Sequence, residues 1–469
     1  MLPLEFSIFF ANIYGTKFQF LRTLQLTATE RTRLLAKCDV CSAYIDRSLS
    51  ESVSVLWSRV DILCWFTLQV LLQVIMLKTG STEWLIDILK AGDSKLGTLL
   101  KEHHLVKDDV AEIGAGKGMV SNVYNHVLHL SNGEIHSVVV KIPGGYLGES
   151  QENNHGAEVN DCYASRAHNR ECELFNDFPQ LFTYLPTPYV YLAVPYDDPS
   201  RDPVIALESL VGKAEVGNIN EGFNSHQVYN IAKDLAKFQS IFLTMEDQSW
   251  VEKYPMNIID EEKDLEFFRT HFEVLKDFDD GSLAPLVTQL APILYNVKVW
   301  RYTSHAAHKH LGIPAVMCND DTWINNILWK LNEDGSLSNH VGAYIDWQLA
   351  HAGCLTVDLV CVLALCTKPS FQREHQYKVL RYFYDLLVDE VKQKGGKVEF
   401  SFDQVKKCYN ANFVGILTRD LGMQVYSIEH GSDDEWTLKA RRSEFTTRAR
   451  LMLEQVAEFV KELPKELME

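Results

Sequence analysis

Two strand-like runs joined by a tight turn, with long amphipathic segments after them, constrain the fold of this chain most. Residues 121–130, SNVYNHVLHL, and residues 137–142, SVVVKI, alternate in polarity or are rich in β-branched side chains, and the Ser131-Asn132-Gly133 turn between them is typical of a β-hairpin. Beyond about residue 225, apolar residues recur at spacings of three and four, which indicates helices. The sequence therefore predicts an α+β protein in which a β-rich part precedes a larger helical part.

Composition narrows the class of protein. The chain has 469 residues, long enough for a two-lobed enzyme or two domains, and 46% of them are hydrophobic, which excludes wholesale disorder. Its formal charge of −18 disfavours nonspecific binding to phosphates, so we expect no nucleic-acid partner. The ten cysteines show no regular framework, and the one CxxC, Cys38 to Cys41, has no second pair of ligands. A reducing compartment, the cytoplasm, is the expected location.

The first 81 residues form an N-terminal extension whose structure the sequence does not define. Residues 60–77 are apolar but interrupted by Asp61, Gln69 and Gln73, and fall slightly short of the about 20 apolar residues that a membrane span needs. A membrane anchor, a buried amphipathic helix and a segment that does not belong to the working domain all stay open, and of the three we do not expect anchoring. After the extension we divide the chain into an N-terminal lobe, 82–212, and a helical C-terminal lobe, 213–469.

A glycine-rich segment precedes the first strand of the hairpin. Gly114, Gly116 and Gly118 come before a strand, whereas a dinucleotide-binding turn requires them before a helix. A glycine-rich turn between antiparallel strands lets backbone amides approach phosphates closely, because no Cβ stands in the way. A purely structural turn is the alternative.

A lysine at the end of the second strand fits the same interpretation. Lys141 closes SVVVKI, and a kinase-type site needs a strand lysine that bridges nucleotide phosphates and is held by a helix carboxylate. The segment AHNRECELF offers Glu171 for that role, with Glu173 as the other candidate. Farther on, PVIALESLVG is an apolar strand that carries Glu208 and could connect the lobes.

The stretch CNDDTWINNILW contains the spacing D-x-x-x-x-N. In a kinase catalytic loop with this spacing, the Asp accepts the proton of the acceptor hydroxyl and the Asn binds magnesium, which assigns these roles to Asp321 and Asn326. Asp346 ends the next strand, and Asp334-Gly335 between them is a hairpin signal that would bring Asn326 and Asp346 together. An amide, a carboxylate and phosphate oxygens are suitable ligands for Mg²⁺.

Two other groups of polar residues are interpreted as structural. Asp358 is expected to accept hydrogen bonds from backbone amides of the catalytic loop. His305 and His308 fall on one helix face without a carboxylate or cysteine at ligand spacing, so we interpret them as part of a surface helix.

Taken together, the chain resembles the CHK kinase-like family, which includes ecdysteroid kinase-like enzymes and is related to choline kinases and aminoglycoside phosphotransferases. The resemblance covers about Thr82 to about Leu463. The motifs that carry it are IGAGKGMVSNVY, VVVKIP, NRECELF, ALESLVG, NDDTWINNILW and YIDWQLAHAGCLTVDL.

This resemblance implies a protein kinase-like bilobal fold, with an antiparallel β-rich N-terminal lobe, that transfers the γ-phosphate of ATP to the hydroxyl of a small molecule with Mg²⁺. It implies the following roles for residues of this chain: phosphate contacts for Gly114, Gly116, Gly118 and Lys141, a partner of that lysine in Glu171, adenine contacts from the backbone between Glu208 and Leu210, the base in Asp321, and metal ligands in Asn326 and Asp346.

The chain departs from the family at one place. Where the family usually has His-Gly-Asp, this sequence has Asn319-Asp320-Asp321. An asparagine can hydrogen-bond to a loop carbonyl, though not with the same atoms, and Asp320 adds negative charge beside the base. The prediction is a small-molecule kinase that acts on an alcohol; the alternative is a pseudokinase that binds nucleotide or a metabolite as a sensor or scaffold.

Overall fold

The computed structural model describes residues 81–92, 94–114, 121–144, 156–198, 200–256, 261–429 and 434–468. The chain divides into two units, Met1–Leu85 and Ile86–Glu469. The apolar segment 60–77 and the pair Cys38 and Cys41 lie outside the described residues. Within the described part, no helix is both long and apolar enough to cross a membrane.

A five-stranded antiparallel sheet forms the first part of the second unit. Its strand order is β1-β2-β3-β5-β4. Around it lie two short helices before β1 and one long helix between β3 and β4. The bounds of these elements are α1 (Thr82–Ala91), α2 (Lys95–Glu102), β1 (Leu105–Glu112), β2 (Ser121–Leu130), β3 (Ile135–Pro143), α3 (Gly156–Asp177), β4 (Val190–Val194) and β5 (Val204–Glu208).

The predicted hairpin is the centre of this sheet. Strands β2 and β3 pair antiparallel, and at the turn the Glu134 N–H donates to Asn132 Oδ1 over 3.0 Å while Gly133 has φ of 86°. That positive φ suits a glycine. In β3, Val138 and Val140 are buried on one face, whereas Val139 packs against the main core. Because side chains alternate along a strand, Lys141 lies on the same face as Val139.

The rest of the unit is mainly helical, with two small sheets. Strands β6, β8 and β9 form one sheet, and β7 pairs with β10 in the other. Helix α4 packs against α11, and α12 packs against both α6 and α13. The bounds are β6 (Ala214–Val216), α4 (Ser225–Thr244), α5 (Trp250–Lys253), α6 (Glu261–Glu273), α7 (Ala284–Leu294), α8 (Val297–Arg301), α9 (Ala307–His310), β7 (Val316–Cys318), β8 (Ile327–Leu331), β9 (Leu337–Tyr344), β10 (His351–Gly353), α10 (Val357–Val360), α11 (Pro369–Gln393), α12 (Phe402–Glu429) and α13 (Glu435–Phe459).

An antiparallel sheet with one long helix between its third and fourth strands, followed by a helical part, is a protein kinase-like arrangement, so the predicted fold class is confirmed. The main core is formed mostly by the helical part and includes fully buried Trp329 and Phe413. The hairpin formed by β8 and β9 lies on this core, and the segment that contains Asp321 and Asn326 precedes it directly.

Candidate active site

Lys141 lies between two carboxylates. Its Nζ is 2.6 Å from Glu171 Oε2 and 2.6 Å from Asp346 Oδ1. Burial disfavours the charged ammonium, but Asp346 and Glu171 outweigh this and raise the pKa of Lys141 above its ordinary value. The lysine is therefore a fixed positive charge that joins β3, α3 and the strand end after β9.

The structure distinguishes the two glutamates of α3. Glu171 is buried, and its Oε1 accepts a hydrogen bond of 3.1 Å from the Trp347 N–H. Glu173 is 44% exposed and lies 3.5 Å from the Arg170 guanidinium. Two residues along a helix point in different directions, so only one of the two can face Lys141. The preference for Glu171 agrees with this geometry.

Asp321 and Asn326, the two residues of the D-x-x-x-x-N spacing, contact each other directly. Asn326 Nδ2 donates to the Asp321 carbonyl and to Asp321 Oδ2, each over 2.9 Å. Burial, together with the nearby Asp346 carboxylate, raises the pKa of Asp321 well above its ordinary value, and Arg419 opposes this rise. The Ile345 N–H donates to the Asn326 carbonyl over 3.0 Å, so the hairpin brings Asp346 to the same place.

Asn319 links the loop to this strand end. Its Nδ2 donates to the Asp346 carbonyl over 3.1 Å, and its Oδ1 accepts from the Asp321 N–H over 3.0 Å. The asparagine therefore bonds to the backbone on both sides of the site. Asp358 binds the backbone of the same loop, since it accepts hydrogen bonds from the N–H groups of Asn319 over 3.2 Å and Asp320 over 2.8 Å. These contacts confirm the structural role predicted for Asp358.

Asp320 has a counter-ion that sequence reasoning missed. Its backbone has φ of 59°, a value that favours glycine, and its side chain is buried. Arg419 on α12 places Nη1 2.9 Å from Asp320 Oδ2, and its Nη2 donates to the Asp320 carbonyl over 2.8 Å. The same guanidinium bonds both oxygens of Asp420, at 2.9 and 3.0 Å. Burial raises the pKa of Asp320 to about 7, and the Arg419 guanidinium opposes this rise. The additional acid beside Asp321 thus has a counter-ion within the fold.

The predicted nucleotide contacts are described only in part. Gly114 has φ of 73°, whereas Gly116 and Gly118 lie outside the described residues. The Glu208 side chain pairs with Lys213 over 3.2 Å and so is directed to the surface, leaving only its backbone for a ligand. The Leu210 N–H has no hydrogen-bond partner in the part of the chain that the structure describes. A free donor after β5 is what an adenine edge requires.

The interpretation of the histidine segment as a surface helix is wrong for His308. This residue is buried, and its Nδ1 lies 3.3 Å from the Cys354 thiol. The segment is irregular, because a π-helical turn at Tyr302–Ala306 precedes α9 and changes which side chains face inward. His308 is therefore a core residue, still outside the candidate site.

Two curated proteins of Caenorhabditis elegans are similar to the chain. One, named "Uncharacterized oxidoreductase dhs-27", is 22% identical over 346 residues, which are 71% of this chain and 40% of that protein. The other, "Uncharacterized kinase-like protein D1044.1", is 23% identical over 250 residues, which are 53% of this chain and 63% of that protein. The chain thus spans less than two thirds of either relative.

Among solved structures, an ethanolamine kinase of Plasmodium vivax is 11% identical, with a TM-score of 0.36, over 80% of this chain and 91% of its own. The fold assignment rests on the topology of the chain itself. A family model, DUF1679, described as "Uncharacterized oxidoreductase dhs-27", matches residues 145–463, more than half of the sequence. The chain belongs to the DUF1679 family.

Proposed function

We propose that this protein is an ATP- and Mg²⁺-dependent phosphotransferase that moves the γ-phosphoryl group to a hydroxyl of a small molecule. The observation that carries the proposal is the position of Lys141, 2.6 Å from both Glu171 and Asp346, beside the loop that contains Asp321 and Asn326. A cation held between a helix carboxylate and a metal-binding carboxylate is the arrangement that phosphoryl transfer by kinases requires.

The donor set fits magnesium. Asn326 uses its Nδ2 within the loop, so its Oδ1 accepts no hydrogen bond from the described residues and is available to a metal. Asp346 is 27% exposed and bonds Lys141 through one oxygen. In the described part of the chain, no group of three or more His, Cys, Asp or Glu side chains could hold a metal ion. Mg²⁺ needs only one or two protein ligands together with phosphates, and when bound it neutralises the charge of those phosphates.

Each residue of the candidate site has a separate role in the proposed reaction. Lys141 orients the phosphates, and the free Leu210 N–H donates a hydrogen bond to the adenine ring. Asp321 accepts the proton of the attacking hydroxyl, and the hydrogen bond from Asn326 to its Oδ2 fixes the direction of the carboxylate. The raised pKa of Asp321 makes it a stronger proton acceptor than an exposed aspartate, which suits a general base.

The acceptor belongs to the finer part of the proposal. The CHK kinase-like resemblance favours an alcohol of the kind that ecdysteroid kinase-like or choline kinase-like enzymes phosphorylate. Six cysteines whose side chains the structure describes are buried and form no disulfide, which supports a reducing compartment such as the cytoplasm. They are Cys172, Cys318, Cys354, Cys361, Cys366 and Cys408.

A nicotinamide-dependent oxidoreductase is less compatible with the topology. All strand pairs of the described residues are antiparallel, and the glycine-rich segment precedes a strand. A dinucleotide fold needs a parallel sheet with the glycines before a helix. The second candidate is therefore a pseudokinase, favoured by Asp320 in place of the family glycine.

The test is transfer of label from γ-labelled ATP into an extract of polar and lipid metabolites in the presence of magnesium. We expect a labelled small molecule with the wild type and a rate lower by ~10²–10⁴-fold with Asp321→Ala, because a base contributes about that much without holding the nucleotide. Glu333→Ala, an exposed change in the β8–β9 turn, is the matched control and should leave the rate unchanged. ATP binding without transfer by the wild type would favour the pseudokinase.

A further inference from the structure

Asp346 has a backbone conformation that residues other than glycine rarely adopt. Its φ is 60°, in the left-handed region. A residue keeps such a strained conformation only where the surrounding structure fixes it. The backbone contacts around Asp346 therefore set the direction of its carboxylate, which lies 2.6 Å from Lys141 Nζ. Asn319 bonds the Asp346 carbonyl, and helix α3 holds the turn that follows.

Two consecutive residues of α3 bind the two ends of this turn. The Ala350 N–H donates to the Trp347 carbonyl over 3.0 Å, which closes a β-turn over residues 347–350. At its beginning, Glu171 Oε1 accepts from the Trp347 N–H over 3.1 Å. At its end, Arg170 Nη1 donates to the Ala350 carbonyl over 2.8 Å. The same helix that supplies the partner of Lys141 thus fixes the turn after Asp346.

Arg170 also ties this turn to a second segment of the helical part. Its Nη1 donates to the Pro255 carbonyl over 3.1 Å, and its guanidinium lies over the Tyr254 ring, with Cζ 5.2 Å from the ring centroid. The Ala352 N–H donates to the Tyr254 carbonyl over 2.7 Å, so the two segments are bonded to each other as well. The Arg170 side chain is 6% exposed, and hydrogen bonds from a buried charged donor are stronger than those from a neutral one.

The attachment of α3 to the helical part does not depend on Arg170 alone. The Tyr254 hydroxyl donates to Asp177 Oδ2 at the end of α3 over 2.7 Å. Glu173 approaches Arg170 Nε to 3.5 Å, but its side chain is 44% exposed, so water weakens this ion pair. Neither contact reaches the turn after Asp346. The direct bond to the Ala350 carbonyl is what Arg170 adds.

We propose that Arg170 is a positioning residue of the candidate site: together with Glu171 it fixes the turn after Asp346, and thereby the direction of the Asp346 carboxylate towards Lys141 and Mg²⁺. This inference rests on the proposed function, in which Asp346 is a metal ligand. Arg170 itself bonds the backbone and acts only through Asp346.

The first test is hydrogen–deuterium exchange of the full chain without ligands, measured by mass spectrometry on peptides that cover residues 345–352. Arg170→Met should raise the exchange rate there about tenfold or more, because the turn loses a hydrogen bond from a charged group. Arg170→Lys should raise it only about threefold, since an ammonium can still donate to a carbonyl. Glu173→Gln is the matched control. It removes the exposed ion pair, leaves both carbonyl contacts in place and should not change the exchange.

The second test is titration calorimetry of ATP binding with and without magnesium. Arg170→Met should weaken binding about tenfold with magnesium and less than about threefold without it, because residues that orient a metal ligand contribute about that much to metal affinity. Tyr254→Phe is the comparison, since it loosens α3 by removing the bond to Asp177 without touching Ala350. It should lower the free energy of unfolding in urea and leave the magnesium dependence of ATP binding unchanged.

Unchanged exchange in a folded Arg170→Met would overturn the inference. If that variant does not fold, Arg170→Lys carries the test, and exchange equal to that of the wild type would overturn it. An equal loss of magnesium dependence in Tyr254→Phe would also overturn it, because general loosening of α3 would then explain the effect. Magnesium-independent ATP binding by the wild type, with faster exchange in Arg170→Met, would support the positioning of Asp346 by Arg170 and reject the proposed magnesium site.

Discussion

Lys141 and Arg419 each pair with one buried and one partly exposed carboxylate, and the two clusters differ in which of these carboxylates belongs to the candidate site. Lys141 is held by buried Glu171 and by Asp346, whose side chain is 27% exposed; the pair of Lys141 with Asp346 is called the open cluster. Arg419 is held by Asp420, whose side chain is 24% exposed, and by Asp320 of the loop, whose side chain is 3% exposed; the pair of Arg419 with Asp320 is called the closed cluster. A partly exposed pair can exchange partners with a metal or a phosphate, whereas a buried pair holds the loop in place. Neighbouring charges thus serve either ligand binding or loop geometry according to their access to water.

The largest expected effect comes from opening the closed cluster. We expect Arg419→Met to lower the free energy of unfolding by about 3–5 kcal/mol, because it leaves the Asp320 carboxylate buried without its cation. Urea denaturation followed by circular dichroism measures this. Lys397→Met is the control, since Lys397 and its partner Glu399 are 79% and 74% exposed, and the change should stay within about 0.5 kcal/mol. A loss below ~1 kcal/mol for Arg419→Met would show that the cluster is not closed.

A second substitution should restore much of the free energy of unfolding that Arg419→Met removes. Asp320→Gly removes the stranded carboxylate and places glycine at φ of 59°, which it adopts without strain. In the double variant with Arg419→Met, the two changes should be non-additive by about 2 kcal/mol, as for residues in direct contact. The measurement is a double-mutant cycle in urea. Additive losses would contradict the pairing of the two residues.

The free energy of unfolding should depend on pH through a histidine next to the closed cluster. His351 Nδ1 lies 3.8 Å from Asp320 Oδ2, and burial lowers the pKa of His351 to about 3. Between about pH 6.5 and 3 the folded state therefore binds fewer protons than the unfolded state, so the stabilisation is complete above pH 6.5 and is lost as the pH falls. At pH 5.5 the loss from this group should be about 1.3 kcal/mol relative to pH 7. His351→Gln should lack this part of the pH dependence, and parallel curves for the two proteins would exclude it.

The open cluster should show the smallest effect on stability and a clear effect on binding. Asp346→Asn should change the free energy of unfolding by less than about 1 kcal/mol, because the partly exposed side chain can still accept from Lys141. Magnesium-dependent ATP binding should weaken about tenfold or more, since even a supporting partner of a metal ligand contributes that much. Urea denaturation measures the free energy of unfolding, and titration calorimetry with and without magnesium measures ATP binding. Equal ATP affinity in the two conditions and in both proteins would refute the metal assignment.

The parts of the site that sequence reasoning could predict are local. The turn at Gly133 and the spacing of Asp321 and Asn326 each lie within a few residues, where backbone geometry limits the possible arrangements. The hairpin turn between Asn326 and Asp346 allowed one longer-range contact to be predicted, because it pairs the strands on either side of it. Such patterns fix the order and type of the neighbouring elements, and the sheet and the helical part followed from them.

The parts that could not be predicted depend on contacts distant in sequence. Arg419 meets Asp320 across 99 positions, and no spacing in the sequence links an arginine on α12 to the loop. The choice between Glu171 and Glu173 depended on the rotation of α3 about its axis, which tertiary packing sets. His308 was misjudged because a π-helical turn shifts the helical phase just before it. The only available signal for Arg419 was that an acid in a glycine position requires a counter-ion.

The pairing of Asp320 with Arg419 also constrains how the sequence could have changed during evolution. Arg419 already bonds both oxygens of Asp420, so an arginine there is tolerable with glycine at position 320. An aspartate at position 320 without that arginine would be buried alone and would destabilise the fold. Sequences with a cation at the position of Arg419 and glycine at the position of Asp320 should therefore be compatible with this fold, whereas the opposite combination should be rare.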